Sequence, residues 1–416
     1  MQTIKSIHMF KYIFLLGFVL CTGSVWGQSL EVIHQQIEDQ NPALKALNQS
    51  YLAALERAPQ VSQLPDPEFG LGLFPFPVET RLGAQQLRLS ATQMFPWFGT
   101  LQQQQDLENA KAQAVYERIA VKRQELFGAV DQAYLQLYEL QKRQSILEQQ
   151  IQLYQSLESI ALAKVASGSA KATDVLQVQL KLEELEQRIR LLEQKQAVPL
   201  ATINQLRYAD NSAPLQITDS LALAVLPFNQ DSLLQYINQN HPLLRTYALE
   251  QEVVQQSLQL NDLQRKPSFG IGADYIAVAE RDLATITDNG RDILQVRATV
   301  KVPLYRKQYD AREREQNLRI SALQHQAAAS ESAFAANLQK AYTKHRNAVL
   351  EWELYDRQTE LTRSIIDLLE SDYSASGRGM DELIRYEQEL INYQIKKLTA
   401  IVQSHLAARE VQQLLY

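Results

Sequence analysis

Two long stretches of the chain carry apolar residues at the spacing of a coiled-coil helix. A repeat of 3.5 residues is typical of left-handed coiled coils, and its steps alternate between four and three residues. The first stretch follows this pattern with one interruption at Gln144, through Leu126, Val130, Ala133, Leu137, Leu140, Leu147, Ile151 and Tyr154. We therefore predict helices over about residues 100–166 and 305–373, each roughly 100 Å long at ~1.5 Å per residue.

Both long helical patterns end at a Ser-Gly pair, and a second helical pattern follows each of them. Ser167–Gly168 ends the first and Ser376–Gly377 ends the second, because glycine tolerates the left-handed conformation that closes a helix. Asp174 and Asp381 follow a few residues later, where a helix start favours a carboxylate. The sequence thus predicts two helical hairpins with tip turns at Gly168 and Gly377. For the two aspartates, plain helix capping stays an alternative to any further role.

A different period, alternation of apolar and polar residues, appears ahead of each long helix. Leu87–Phe95 and Gln295–Val302 alternate in this way, which predicts half-buried strands. Each is preceded by a second strand pattern, Glu68–Phe76 or Ser268–Val278, so we expect two strand pairs joined by loops at 77–81 and 279–291. Strands of this length suit a tilted membrane strand. Four strands are too few to close a membrane barrel, whose smallest examples have ~8, so further copies must complete the sheet.

The elements occur twice because the sequence is an internal duplication. Asn41–Leu44 recurs as His241–Leu244, and Pro67–Gly72 recurs as Pro267–Gly272. A repeated unit of roughly two hundred residues is longer than the periods of solenoid arrays. We divide the chain into a first structural repeat at residues 28–207, a linker at 208–229 and a second structural repeat at 230–416. Each repeat is predicted to contain a helix broken at its Asn-Pro or His-Pro pair, a strand pair and a long helical hairpin.

The first 27 residues have the pattern of an export signal. Lys5 and Lys11 precede the apolar run Tyr12–Leu20, and a small residue, Gly27, ends the segment. The run is well below the ~20 residues of a spanning helix, so we predict a signal peptide over residues 1–27. Cys21, the only cysteine, lies inside it, and the mature chain would then have no thiol chemistry. Lipidation of Cys21 is an alternative, disfavoured by the large Leu20 before it.

Composition and charge exclude several functional classes. The net charge of -6 is spread along the chain without a basic stripe, so nucleic acid is not expected as a partner. The 14 glycines and 13 prolines are few for this length and favour long helices. The histidines are scattered, and no P-loop, GxSxG, HExxH or CxxC motif is present. We therefore expect no catalytic residues, no cofactor and no metal site.

With these features the sequence resembles the TolC family of outer membrane efflux proteins. The likeness rests on the duplication and on Asn41–Leu44, Pro96, Pro303 and the tips Gly168–Leu176 and Gly377–Leu383. It implies a mainly α fold with a small β part, closed as a homotrimeric α/β barrel in the outer membrane with a large periplasmic part. It further implies contact with outer membrane lipid, docking to a periplasmic adaptor protein and an inner membrane pump, and no enzyme activity.

The resemblance also implies a gate at the hairpin tips. In the family, a Tyr and an Arg of the second tip bond to an Asp of the first tip and hold the tunnel closed. Tyr373 and Arg378 occupy the first two places, Thr173–Asp174 matches their partner, and Asp381 matches a carboxylate of the constriction. The position one turn after Asp381 is acidic in the best-known members but is Ile384 here. The resemblance therefore does not extend to a second acidic residue one turn after Asp381.

Trp97 and Phe98 follow the second strand directly, beside Pro96. We interpret them as part of an aromatic girdle at the membrane edge, with packing into an ordinary core as the alternative.

The predicted function is a passive outer membrane exit channel of a tripartite efflux system that exports small molecules or metal ions. The exit duct of a type I protein secretion system and a periplasmic coiled-coil scaffold without a pore stay as alternatives. The strands of membrane length count against the scaffold.

Overall fold

A computed structural model describes residues 29–226, 229–282, 287–376 and 378–415. The predicted signal peptide at residues 1–27, Cys21 and the predicted tip turn at Gly377 lie outside the described residues. The first series of elements is α1 (Leu30–Gln40), α2 (Pro42–Leu55), α3 (Arg57–Val61), β1 (Glu68–Thr80), β2 (Gly83–Phe95), α4 (Thr100–Ala166) and α5 (Ala172–Leu206). The second is α6 (Gln230–Asn240), α7 (Pro242–Gln264), β3 (Ser268–Ala279), β4 (Ile293–Lys301), α8 (Lys307–Ser376) and α9 (Met380–Leu415).

The mainly helical fold with a small antiparallel sheet is confirmed, and the second series of elements follows the order of the first apart from the short α3. Where one repeat ends and the next begins stays a prediction of the sequence. None of the helices in the described part of the chain combines the length and the apolar character needed to cross a membrane.

The predicted breaks in the opening helix of each repeat are confirmed. Asn41 separates α1 from α2 with an extended backbone (ψ 122°), and His241 separates α6 from α7 in the same way (ψ 128°). Each precedes a proline, whose ring disfavours helical geometry at the residue before it. The His241 side chain then caps α7, since its Nδ1 accepts the Leu243 N–H at 3.1 Å.

The strands form one antiparallel sheet in the order β1-β2-β3-β4. The predicted pairs β1–β2 and β3–β4 are both present, and β2 pairs with β3 to join them. The predicted loop at residues 77–81 is wrong, because β1 continues to Thr80 and only Arg81 and Leu82 turn the chain. Pro75 and Pro77 fit within this strand because they lie between Leu73 and Val78, where the pairing of β1 with β2 is irregular and a missing N–H breaks no ladder bond with β2.

The chain divides into two compact units, each containing residues from both halves of the sequence. Among the described residues, those within Met1–Asn41, Leu126–Leu226 and Tyr342–Arg409 form the hairpin unit, and those within Pro42–Glu125, Pro227–Ala341 and Glu410–Tyr416 form the sheet unit. In the hairpin unit, both hairpins contribute to one apolar core. Its members include Leu157 and Ala161 of α4, Val175 and Val178 of α5, Tyr373 of α8, and Met380, Leu383 and Ile384 of α9.

The predicted linker is ordered over residues 208–226, although it forms neither helix nor strand beyond a short turn. Leu215 and Ile217 are buried, and the Tyr134 hydroxyl of α4 donates a hydrogen bond of 2.6 Å to Asp219. This segment therefore packs along the helices of the hairpin unit as part of its structure.

Candidate functional site

The first hairpin tip is a tight turn built around Gly168. This residue has a φ of +74°, in the left-handed region where glycine meets no steric penalty. The Gly168 N–H donates to the Val165 carbonyl at 3.0 Å, and the Ser169 N–H donates to the Lys164 carbonyl at 2.8 Å. These bonds satisfy carbonyls that the end of α4 would otherwise leave unpaired.

Asp174 lies in the first turn of α5, beyond the N-cap. The N-cap is Lys171, whose backbone is extended and whose side chain makes no capping hydrogen bond. Asp174 is therefore not the N-cap of α5, and that alternative is wrong. As a carboxylate in the first turn, it still interacts favourably with the helix dipole. The Asp174 side chain is buried, and the Thr173 hydroxyl lies 3.5 Å from its Oδ1.

At the second tip, the charged candidates lie on the exposed side. Asp381 is in the first turn of α9 and is exposed, as is Arg378. The Arg378 N–H donates to the Ser376 hydroxyl at 3.2 Å, but its guanidinium forms no ion pair with any residue in the described ranges. Ile384 is buried in the shared core. A second acidic ring therefore has no carboxylate at this position.

Tyr373 lies on the buried side of the same tip. Its side chain is only 1% exposed, and its hydroxyl has no hydrogen-bond partner among the described residues. Burial raises the pKa of this hydroxyl, and the negative charge of Asp174 raises it further. The structure therefore brings Asp174 and Tyr373 into one electrostatic environment within a single chain, whereas Arg378 and Asp381 face solvent.

Lys164 completes the contact between the two tips and was not predicted as a site residue. Its Nζ donates a hydrogen bond of 2.9 Å to the Ser374 carbonyl and lies 5.6 Å from the centre of the Tyr373 ring. A cation in the last turn of a helix is favoured by the helix dipole. The position of Lys164, one turn before the Ser-Gly pair, could have indicated from the sequence that it contributes to the tip.

A buried polar pair lies further along the hairpins and was also missed. Gln150 of α4 donates a hydrogen bond of 2.7 Å to the carboxylate of Glu387 in α9. Burial raises the pKa of Glu387, and the charge of Glu370 acts in the same direction. A signal for this pair was present in the sequence. Glu387 lies at helical spacing between the apolar pairs 383–384 and 390–391, so it falls on the apolar face of the helix, which packs into the core.

The predicted membrane-edge aromatics lie in the sheet unit at the end of β2. The Trp97 ring is half-buried, with its centre 5.8 Å from that of Phe269, and Lys266 Nζ lies 5.6 Å above it. Phe98 is 82% exposed. Phe98 is therefore not packed in the core of this chain. That Trp97 and Phe98 belong to an aromatic girdle at the membrane edge stays a prediction.

In the parts of the chain that the structure describes, no group of three or more His, Cys, Asp or Glu side chains is arranged to hold a metal ion.

Known proteins match part of this chain by sequence and nearly all of it by fold. Residues 33–207 match the family model of the outer membrane efflux proteins. No curated protein sequence matches the chain significantly.

Solved structures share its fold along nearly the whole chain. CusC aligns with a TM-score of 0.72 at 13% identity, covering 94% of this chain and 95% of CusC. The outer membrane protein VceC of Vibrio cholerae aligns with a TM-score of 0.71 at 13% identity, covering 94% and 99%. The open state of the MtrE outer membrane channel of Neisseria gonorrhoeae aligns with a TM-score of 0.72 at 11% identity, covering 93% and 88%.

At such low identities the structural matches show the fold alone. The match over residues 33–207 is to the model of the outer membrane efflux protein family, whose members are outer membrane channels and not enzymes. Residues 33–207 are therefore similar to the outer membrane efflux protein family, and nearly the whole chain shares the fold of the solved outer membrane channels.

Proposed function

We propose that the chain is the exit duct of a tripartite efflux system and works as a homotrimer. In this proposal it passes small molecules or metal ions across the periplasm and the outer membrane, together with a periplasmic adaptor protein and an inner membrane pump. The observation that carries the proposal is the apolar face of the four-stranded sheet.

One row of side chains shows the character of that face. Leu71 pairs with Leu89, Leu89 with Tyr275, and Tyr275 with Leu294, so the row crosses all four strands. These side chains are 67%, 45%, 43% and 74% exposed, respectively. A continuous apolar face that none of the described residues covers is costly in water. It suits strands whose outer face meets lipid and whose opposite face is polar.

The edges of the sheet support assembly from several copies. The described residues contain no strand that pairs with the outer edge of β1 or of β4. Open edges promote pairing with another chain. Three copies would supply twelve strands, above the ~8 of the smallest closed membrane sheets, which supports the trimer.

The tips of the helical hairpins are the proposed gate. Asp174 and Tyr373 would stabilise the tip within each chain, and Lys164 would hold the two hairpins together. Because Arg378 and Asp381 are exposed, they remain available to a neighbouring copy or to a passing ion. We propose that Arg378 contributes to closure between copies and that Asp381 lines the constriction.

The experiment that tests the duct is reconstitution of the purified trimer in planar lipid bilayers. We expect discrete conductance steps, since a closed sheet with a polar interior conducts ions. A correctly trimerised protein that gives no conductance would overturn the proposal and favour the scaffold.

A second experiment addresses the cargo, in a strain that lacks the chain. We expect increased accumulation of small toxic compounds or metal ions, reversed when the gene is restored. Loss of a secreted protein with unchanged accumulation of small compounds would instead identify a protein secretion duct.

A further inference from the structure

We propose that Arg88 and Arg297, held in place by the buried Asp274, form an anion-binding site on the polar face of the sheet. In the trimer, three such sites would make a cationic ring that favours anions and anionic groups of the exported compounds. This inference rests on the proposed duct and deepens it by naming the class of cargo.

The three side chains belong to adjacent strands. Arg88 of β2 donates from Nε to Asp274 Oδ1 at 3.1 Å, and its Nη2 lies 2.9 Å from the same oxygen. Arg297 of β4 places Nη1 at 3.8 Å from Asp274 Oδ2. The carboxylate of β3 therefore lies between two guanidinium groups, one close and one looser.

The surrounding strands leave room for the looser arginine. Arg297 Nη2 donates a hydrogen bond of 3.0 Å to the Thr92 hydroxyl. Arg297 also pairs in register with Gly272. A Cβ on this glycine would lie 3.0 Å from the Thr92 hydroxyl and 3.5 Å from Arg297 Nη2. The absence of a side chain at Gly272 thus leaves room for the Thr92 hydroxyl, which accepts the hydrogen bond from Arg297.

Burial separates the charges. The Asp274 side chain is 0% exposed, whereas those of Arg88 and Arg297 are 39% and 38% exposed. The negative charge is covered and the positive charges reach the polar surface. Two guanidinium groups against one carboxylate leave one net positive charge in each chain. The other charged residues on this face of the described strands, Glu68 and Lys301, have opposite signs.

Neutralising the charge of Asp274 needs only one of the two arginines. Arg88 pairs closely with Asp274, whereas the nearest Arg297 nitrogen paired with the carboxylate lies at 3.8 Å. A half-exposed guanidinium that is held loosely can bind carboxylate, sulfate or phosphate groups through paired N–H bonds. Rings of charged side chains along a pore wall select ions by their sign.

The test is the reversal potential of the trimer in planar bilayers across a KCl gradient. We expect Arg297→Gln to lower the chloride-to-potassium permeability ratio by about fivefold, because a unit charge some 8 Å away favours one ion and disfavours the other by about twofold each in water. This variant leaves the close Arg88–Asp274 pair in place, so folding is preserved. Asp274→Asn should change the ratio in the opposite direction. Arg291→Gln is the matched control, since it removes a mostly exposed arginine from the β3–β4 loop.

A second readout uses sulfate as the probe. We expect sulfate to reduce the chloride current of the wild type more strongly than that of Arg297→Gln. Conducting trimers whose permeability ratio and sulfate response are the same in the wild type and Arg297→Gln would overturn the anion site and leave the duct intact. A wild-type trimer without conductance would overturn the duct itself, and the ring with it.

Discussion

Gln150 donates a 2.7 Å hydrogen bond to Glu387, and both side chains are buried between the two hairpins. A buried carboxylate with one neutral donor is more costly in its charged form than in its neutral form. This cost makes the stability of the hairpin unit depend on pH.

We predict that Glu387→Gln raises the melting temperature of the protein in detergent at pH 8. Burial raises the pKa of Glu387 in the folded chain, so the folded state binds more protons than the unfolded state between the ordinary and the raised pKa. Stability therefore falls as the pH rises through that window. Glutamine keeps the acceptor for Gln150 and removes the charge.

Melting curves from pH 4.5 to 8 check this prediction, with the exposed Glu353→Gln as a control that should leave the curve unchanged. A Glu387→Gln protein as sensitive to pH as the wild type would contradict it.

Glu387→Ala should instead destabilise the protein by about 1–3 kcal/mol, because it leaves Gln150 buried and unpaired.

His241 should make the sheet unit sensitive to acid. Burial lowers its pKa to about 4, whereas an unfolded chain titrates near ~6.5. Between these values the unfolded state binds more protons, so stability falls as the pH falls, by about 3 kcal/mol in total. His241→Asn keeps a helix-capping acceptor and places at this position the residue type that Asn41 supplies at the equivalent place in the first half of the chain. It should remove this slope.

Urea denaturation at pH 7.5 and 4.5 measures the effect of His241→Asn. The exposed His325→Asn is the control and should keep the acid sensitivity of the wild type. If both variants lose stability on acidification as the wild type does, His241 is not responsible for the slope.

For the tip gate, we predict that Asp174→Ala and Arg378→Ala each raise the single-channel conductance in planar bilayers. Asp174 shares its environment with the buried Tyr373, and Arg378 is exposed where a neighbouring copy would lie. Removing either group should loosen the closed tips. Asp372→Ala, at an exposed carboxylate near the same tip, is the control. Conductance equal to that of the wild type in both gate variants would contradict the gate.

Two glycines with positive φ should respond differently to a methyl group. At Gly83 (φ +134°) a Cβ would lie 1.9 Å from the Ala279 carbonyl oxygen, whereas at Gly168 (φ +74°) it would meet no atom within 4 Å. Gly168→Ala should cost only the strain of a left-handed residue, about 1–2 kcal/mol. Gly83→Ala must also displace strand β3, so we expect it to prevent assembly of the trimer. Yields of folded trimer on native gels distinguish the two, and equal yields would contradict the prediction.

Much of the secondary structure could be predicted from the sequence, because its determinants are local. The coiled-coil spacing, the Ser-Gly pair at Ser167–Gly168 and the prolines after Asn41 and His241 each act within a few residues of the chain. Local rules failed at Pro77, which was predicted to begin a loop although the strand continues to Thr80. Whether a proline is tolerated there depends on how β1 pairs with β2 at that point, and a partner distant in sequence decides that.

The arrangement of charged side chains was decided by the tertiary structure alone. Asp274 meets Arg88 only because β2 pairs with β3, two strands that lie in different repeats. Glu387 is buried because Gln150 faces it from another helix, and Tyr373 and Arg378, near neighbours in sequence, have opposite exposures at one tip. By itself the sequence determined the helices, the strands and their duplication, since periodicity acts along the chain. Burial and charge pairing depend on which surfaces meet, and that requires contacts between residues far apart in the sequence.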